Sequence, residues 1–411
     1  MNFEYFIAKR IATAKEDKNS ISASIIKIAI VAIAISLVMM LTAIATGFGL
    51  QHKIREKVAA FNGHIQIFEY GTNQSDVSVN PISKEQKFYP NFTNIPNIQH
   101  IQAVAGKGGI IRTEKTFEGI IAKGVGAAYN WEYMQDFLVE GVLPDYTGDR
   151  NEDILMSSYM ANRLEVKVGD VVTAFFLKDN GSDIPNQMKL HIVGLYDSSF
   201  QEFDASYVIM DLRHIQRINK WEANEIGNFE IFVNDFDKIN ETENLIYNQI
   251  PSNLNSQSIL DKYPFIFDWI SYFDFNIVLI ISIMILVGGI NMITALLVLV
   301  LDRTPMIGML KAFGNTNWSI RKIFLYNAVY LIGKGILWGN AIGIGLLLLQ
   351  QKFGFVKLPP ETYYVTEAPI YLNPLHILLL NAGVLVVCLL MLLLPSYIIT
   401  RIAPVKAIKF E

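Results

Sequence analysis

Four stretches of this chain are long and apolar enough to dictate its architecture before any motif is considered. They run at about Ile25–Leu50, Asn276–Leu301, Ile323–Leu349 and Leu375–Ile399. A helix needs roughly 20 apolar residues to cross a bilayer, because no water is there to satisfy its backbone N–H and C=O groups. Each stretch meets that length. The first follows a charged segment, as a signal peptide would, but its apolar core far exceeds the roughly 7–15 residues of a signal core and reads as a retained anchor. The expected fold class is a membrane protein, α+β, with four transmembrane helices and a large α+β domain inserted between helices 1 and 2.

Charge sets the orientation. Residues 51–274 hold 19 Lys/Arg against 31 Asp/Glu, whereas the rest holds 15 against 7. The basic residues outside that segment cluster beside the apolar runs: Lys9, Arg10, Lys15 and Lys18; Arg303, Lys311, Arg321 and Lys322; Arg401, Lys406 and Lys409. Loops rich in Lys and Arg stay on the cytoplasmic side. Both termini are therefore expected inside, with the acidic domain outside.

The composition, 52% hydrophobic and 18% charged, fits such a mixture. The single cysteine, Cys388, leaves no intrachain disulfide and no cysteine-based zinc site. Six scattered histidines form no H-x-x-x-H or H-E-x-x-H pair. There is no G-x-S-x-G and no P-loop. No catalytic residue, no metal site and no cofactor bound by this chain is expected, and no nucleic-acid partner.

The expected layout is a cytoplasmic amphipathic segment 1–20, transmembrane helix 1 at 21–50, an exterior domain 51–274, helix 2 at 275–301, a cytoplasmic helix 302–318, helix 3 at 319–350, an exterior loop 351–374, helix 4 at 375–400 and a cytoplasmic tail 401–411. Phe3, Phe6 and Ile7 with Lys9 and Arg10 suit an interfacial helix, or equally a frayed tail. Leu50, Ile54, Val58 and Phe61 prolong helix 1 beyond the lipid as an apolar stripe. Trp269, Tyr272 and Phe273 lead into helix 2 as an aromatic belt. Two projecting helices thus carry the inserted domain.

Within that domain, alternation predicts strands at His64–Tyr70, Gln102–Ile111, Thr116–Lys123 and Asn228–Val233. Ile95–Ile101 reads as a short helix and turn, and Asp237–Ile250 as a helix. These give ferredoxin-like halves at about 62–130 and 222–260. Between them, 131–221 reads as a mostly-β subdomain, with short strands at Asp153–Met156, Met160–Arg163, Val171–Leu177, Lys189–Tyr196 and Ser206–Met210. Paired acids such as Glu152 and Asp153 sit in loop-like sequence and read as solvated.

Between the second and third apolar runs lies a short stretch with strong helix punctuation. Thr304 suits an N-cap, Pro305 the first helical position and Gly314 a left-handed terminator. Met306, Met309, Leu310 and Phe313 fall at i, i+3, i+4, i+7 and form one apolar stripe. Arg303 and Lys311 keep it near water. A well-capped loop helix has the same pattern. Lys334 stands near the middle of helix 3. It is either a functional charge or one that reaches Asn340, Asn381 or a carbonyl. Lys27, one turn inside helix 1, reads as a snorkelling residue.

With these residues assembled, the chain resembles the permease subunits of lipoprotein-releasing ABC transporters, the Lol system, within the class that includes FtsX and the macrolide exporter MacB. Phe6-Ile7-Ala8-Lys9-Arg10, Gly47-Phe48 with Lys53–Ile67, Asp302-Arg303-Thr304 through Lys311-Ala312-Phe313-Gly314, Leu358-Pro359 through Tyr364 and Ala403–Glu411 carry the resemblance. It implies a bacterial inner-membrane protein with its large domain in the periplasm. It implies two permeases, copies of this chain or related ones, with two copies of a separate Lol-type ATPase that holds the ATP and Mg. The substrate would be a lipoprotein, extracted from the membrane lipid and passed to a periplasmic chaperone. The alternatives are a macrolide-exporter-like efflux permease and an FtsX-like transmitter to a cell-wall hydrolase.

The resemblance also assigns candidate sites. Arg303, Thr304, Met306, Ile307, Met309, Leu310, Lys311 and Phe313 would couple to the ATPase. Met39, Met40, Ile44 and Phe48 with Ile283, Leu286 and Ile290 would line an acyl-chain cavity, or form ordinary packing and lipid-facing surface. Asp179, Asp183, Ile184 and Pro185, in the long connection between two strands, would meet the chaperone, although Asn180-Gly181 reads equally as a plain turn.

Overall fold

The computed structural model describes residues 3–13, 21–71, 75–177 and 185–401. They form two compact units, one of residues 1–51, 270–357 and 367–411, the other of 52–269 and 358–366.

The first unit is helical. Its elements are α1 (Phe3–Thr13), α2 (Ile21–Asn62, of which 21–51 belong here), α3 (Pro264–Asp302, from 270), α4 (Thr304–Ala312), α5 (Asn317–Phe353), α6 (Pro374–Ser396) and α7 (Ile398–Arg401). Among the described residues, α2, α3, α5 and the α6–α7 stretch are long and apolar enough to cross a membrane. They are apolar on nearly every face, as a helix between lipid and protein must be. Leu37, Met40, Ile307, Ile320, Phe324, Ile332 and Leu392 are buried together at its core.

A ladder of small residues sets how closely two of these helices approach. A Cβ on Gly335 would stand 2.7 Å from Ile33, one on Gly339 2.9 Å from Leu37, and one on Gly343 3.0 Å from Leu41. Three glycines at four-residue spacing flatten one face of α5 so that α2 packs against its backbone, the small-xxx-small arrangement of membrane helices. The three contacts share one offset, so α2 and α5 run parallel. On α6, Asn381 exchanges side-chain hydrogen bonds with Asn340 of α5 at 2.8 and 3.2 Å. Both amides are thereby satisfied. Lys334 does not reach them: its ammonium lies 4.4 Å from the centre of the Tyr330 ring. The N-terminal segment packs as helix α1 on α5, with Tyr5 edge-on to Tyr326 and Glu4 accepting from Ser319 at 3.3 Å.

The second unit is built on one ten-stranded sheet. Its strands are β1 (Ile65–Glu69), β2 (Ile98–Arg112), β3 (Phe117–Val125), β4 (Leu138–Gly141), β5 (Asp153–Ser157), β6 (Val171–Phe176), β7 (Asn186–Tyr196), β8 (Tyr207–Asp211), β9 (Asn228–Val233) and β10 (Leu254–Ser258). Their order is β10-β1-β9-β2-β3-β8-β5-β7-β4, with β6 pairing both β2 and β7. The path β2-β3-β8-β5-β7-β6 therefore returns to β2 and closes a ring around Ile154, Phe176, Leu190 and Val208, all fully buried. The two sequence regions read as separate subdomains share this sheet through the parallel β3–β8 pairing.

Two local readings are corrected, and one helix is added. Ile98–Ile101 opens the long strand β2 and pairs with β9, so tertiary pairing overrides the helix-and-turn reading. Met160–Arg163 belongs to a helix, Ser158–Leu164, whose N-cap Ser157 accepts from Met160 N–H at 3.0 Å. Leu212–Asn219 is a further helix, started by Asp211 accepting from Arg213 N–H at 2.9 Å.

The end of α2 is held in this unit by two buried lysines. Lys123 of β3 donates to the Phe61 carbonyl at 2.7 Å and pairs with Glu230 at 2.7 Å. Glu230 accepts in turn from Gln102 at 2.8 Å. Every member is satisfied, which a buried charge requires: removing one partner of such a pair costs about 3–5 kcal/mol. Lys57 of α2 itself donates to the carbonyls of Ser198 and Tyr364. Burial pushes its ammonium down to about 8.

Candidate functional site

The helix α4 is the one sequence-predicted site whose parts the structure brings together on a single element. Its start differs from the expectation. Thr304 is not the cap but the first helical residue, after Arg303, and its hydroxyl donates backwards to the carbonyls of Val300 and Leu301 at 3.2 and 2.7 Å. It thus satisfies the open C-terminal carbonyls of α3. Pro305 occupies the opening turn, where a missing N–H costs nothing. The end is fully bonded. Gly314, at φ +87°, donates to the Lys311 carbonyl and Asn315 to that of Leu310, both at 3.0 Å. That pair of bonds is the Schellman motif, and it requires the left-handed residue glycine supplies.

The apolar stripe divides into two faces. Ile307 is completely buried and Met306 and Leu310 pack half-buried on the same core. These three hold α4 to its own bundle, so Ile307 offers no surface to a partner. The opposite face presents Pro305, Met309, Ala312 and Phe313; Met309 is 50% and Phe313 85% exposed. Lys311 points inward, donating to the carbonyls of Ile399 and Thr400 at 2.8 and 3.3 Å. Its positive charge there suits the carbonyl end of α7. Arg303 lies 3.6 Å from Asp302. Arg321 of α5 braces the same corner, donating to the Ser396 hydroxyl at 3.1 Å and stacking over Trp318. What remains open is a rigid one-helix knob with an apolar tip.

The cavity candidates fall into three classes. Met39, Ile283, Leu286 and Ile290 are about half-exposed. Ile44 and Phe48 are half-buried, Phe48 with its ring 4.9 Å from His376. Met40 is 1% exposed and belongs to the bundle core, because it lies on the side of α2 turned toward the other helices. Of the chaperone candidates, Asp179, Asp183 and Ile184 lie outside the described residues. Pro185 borders a surface hollow with Ile110, Phe117 and Phe175, beside the stretch where β2 pairs antiparallel with β6.

Among the described residues no group of three or more His, Cys, Asp or Glu is placed to hold a metal. A bundle of long apolar helices, an inserted sheet domain and a braced apolar knob are the framework of a membrane permease subunit. Comparison with known proteins then places it: residues 27–246 match the MacB-like periplasmic core domain and residues 278–404 the FtsX-like permease C-terminal domain. The chain belongs to the Lol permease family, among ABC transporter permeases of the Lol, MacB and FtsX type. It is 21% identical to the lipoprotein-releasing system transmembrane protein LolE of Haemophilus influenzae, over 99% of each chain. It is 19% identical to LolC of Xylella fastidiosa over 100% of this chain and 98% of that one. A solved structure of the periplasmic region of MacB from Actinobacillus actinomycetemcomitans is similar to 49% of this chain, over 91% of its own length, at 13% identity and a TM-score of 0.33.

Proposed function

We propose that this chain is the non-catalytic permease subunit of an inner-membrane transporter that extracts lipoproteins and passes them to a periplasmic chaperone. The observation that carries the reading is the end-to-end similarity to LolE and LolC, whose names describe lipoprotein release. Four helices cross the membrane, the sheet domain stands in the periplasm, and a separate ATPase docks on α4 from the cytoplasm. Two permeases, copies or relatives, face one another with their two ATPases. Met309 and Phe313 enter the ATPase groove, while Ile307, Leu310 and Lys311 transmit the push because they lock α4 to the bundle.

Two features support mechanical transmission. Helices α2 and α3 run without a break from the apolar segment into the sequence of the sheet domain. The acyl-chain cavity is formed by the exposed faces of the same helices, at Met39, Ile283, Leu286 and Ile290. Movement of α4 then alters the cavity without any chemistry in this chain. Co-purification from native membranes with mass spectrometry tests the reading. An ATPase and acylated lipoproteins should accompany the chain. A cell-wall hydrolase or an outer-membrane exit duct in their place would overturn it.

A further inference from the structure

The outward side of the α2–α5 contact carries a groove of about 580 Å³ that shares only Met39 with the proposed acyl-chain cavity. Val31, Ile35 and Met39 of α2 form one wall, and Trp338 and Ile342 of α5 the other. All five are about half-exposed. The single polar residue lining it is Lys27, at the end nearest the helix N-termini. Lys334 lies on the same row of α5 as Trp338 and Ile342, at four-residue spacing.

The glycine ladder fixes the relative height of the two lysines. Gly335 meets Ile33, Gly339 meets Leu37 and Gly343 meets Leu41. At that constant offset Lys27 is level with Val329, next to Tyr330. The Lys334 ammonium leans back toward the N-terminus of α5 to lie over the Tyr330 ring at 4.4 Å. Measured along the helix axes, Lys27 and the Lys334 ammonium therefore stand within about one turn of the same level, toward the N-terminal end of the groove. That level is seven residues, roughly 10 Å, further into the bundle than Lys322. Neither lysine has an ion-pair partner among the described residues. Two cations at this depth are costly unless an anion is brought to them.

We infer that the groove binds one anionic phospholipid of the cytoplasmic leaflet, its phosphate between Lys27 and Lys334 and an acyl chain along Val31, Ile35, Met39 and Trp338. Charge complementarity selects the occupant. A hydrocarbon wall ended by two ammonium groups matches a phosphate on a fatty chain, and a zwitterionic lipid offers the lysines no net charge. The lipid would also seal the face of the glycine ladder opposite the bundle core. Only the choice of leaflet rests on the topology proposed above; lipid binding is measured without lipoprotein release, so either can fail alone.

The test is native mass spectrometry of the full chain, purified with its companion subunits and stripped of lipid. It is titrated separately with dioleoylphosphatidylglycerol and dioleoylphosphatidylcholine. The wild type should take up one phosphatidylglycerol with roughly tenfold preference. Lys27→Gln with Lys334→Gln should abolish the preference, Lys27→Arg with Lys334→Arg should restore it, and Lys352→Gln, a charge loss away from the groove, should leave it intact. Ile35→Trp, which fills the groove, should lower uptake of both lipids. Equal preference in the wild type and the double glutamine variant would overturn the inference. So would loss of permease–permease association in that variant with lipid uptake unchanged, which would assign Lys334 to a second permease.

Discussion

The ammonium of Lys57 donates to the backbone carbonyl of Tyr364 at 2.8 Å and so fastens the end of α2 to the loop 358–366. Tyr364 holds a left-handed φ of 57° and stacks on Phe200 with ring centres 4.3 Å apart. A non-glycine residue in that region is costly and persists only where its surroundings fix it. Lys57→Met removes the donor and should free the loop. Hydrogen exchange of the Leu358 N–H, bonded to the Thr366 carbonyl at 3.0 Å, should quicken by roughly tenfold or more, for a lost bond worth about 1.5–3 kcal/mol. Unchanged exchange would mean the aromatic stack alone holds the loop.

The α2–α5 ladder predicts opposite outcomes for two identical substitutions. Gly345→Ala has open space around its new Cβ and gains helix propensity, up to about 1 kcal/mol. Gly339→Ala has the same propensity gain, but its Cβ would lie 2.9 Å from the Leu37 side chain and 3.0 Å from the Ala34 carbonyl oxygen. Overpacking of this kind costs about 1–3 kcal/mol. Thermal unfolding in nanodiscs should show Gly345→Ala at or above the wild type and Gly339→Ala below it.

Acid should loosen the sheet domain through His64. Its Nδ1 accepts from the Val233 N–H at 3.1 Å, between Phe232 and Phe236, and burial pushes the imidazole down to about 4. Unfolded, it titrates near 6.5, so between 4 and 6.5 the unfolded chain binds more protons. His64 therefore contributes its stability in full above 6.5 and loses it as pH falls toward 4, on the order of 3 kcal/mol. Asp204 works against it. Burial raises its carboxyl to about 6, so from its ordinary 3.8 up to 6 the folded state binds the extra proton. The informative quantity is thus the difference between wild type and His64→Asn, which keeps an acceptor for Val233. That difference should shrink steadily from pH 7 to pH 4.5 in melting experiments.

How much of this was legible in the sequence varies with the range of the interactions. The long apolar helices were readable because burial in lipid imposes a length and a composition with little competition. Asn228–Val233 is a strand over those same residues because its alternation and its neighbours agree. Ile98–Ile101 was misread because its strand character comes from β9, more than a hundred residues away. Met160–Arg163 was misread because its cap, Ser157, lies before the short apolar run. On α4 the seven-residue stripe identified the helix but not its outer face. Which apolar side turns inward depends on where Ile320 and Phe324 of α5 lie, and only the fold places them. The glycine spacing at 335, 339 and 343 is plain in the sequence, but only the fold shows that Ile33, Leu37 and Leu41 of α2 lie against it.

The central claim is that α4 transmits ATP hydrolysis to lipoprotein release, and one assay addresses it directly. The permease is reconstituted with its co-purified ATPase in proteoliposomes carrying a fluorescent acylated lipoprotein, and ATP-dependent transfer to a soluble acceptor is followed. Phe313→Glu alters the exposed tip of α4 and touches none of its inward contacts. The account predicts ATP-dependent release by the wild type and at least a tenfold loss with Phe313→Glu, whose helical content and melting temperature stay at wild-type values. Wild-type protein that hydrolyses ATP without releasing lipoprotein, or Phe313→Glu protein that releases it at the full rate, would contradict the account.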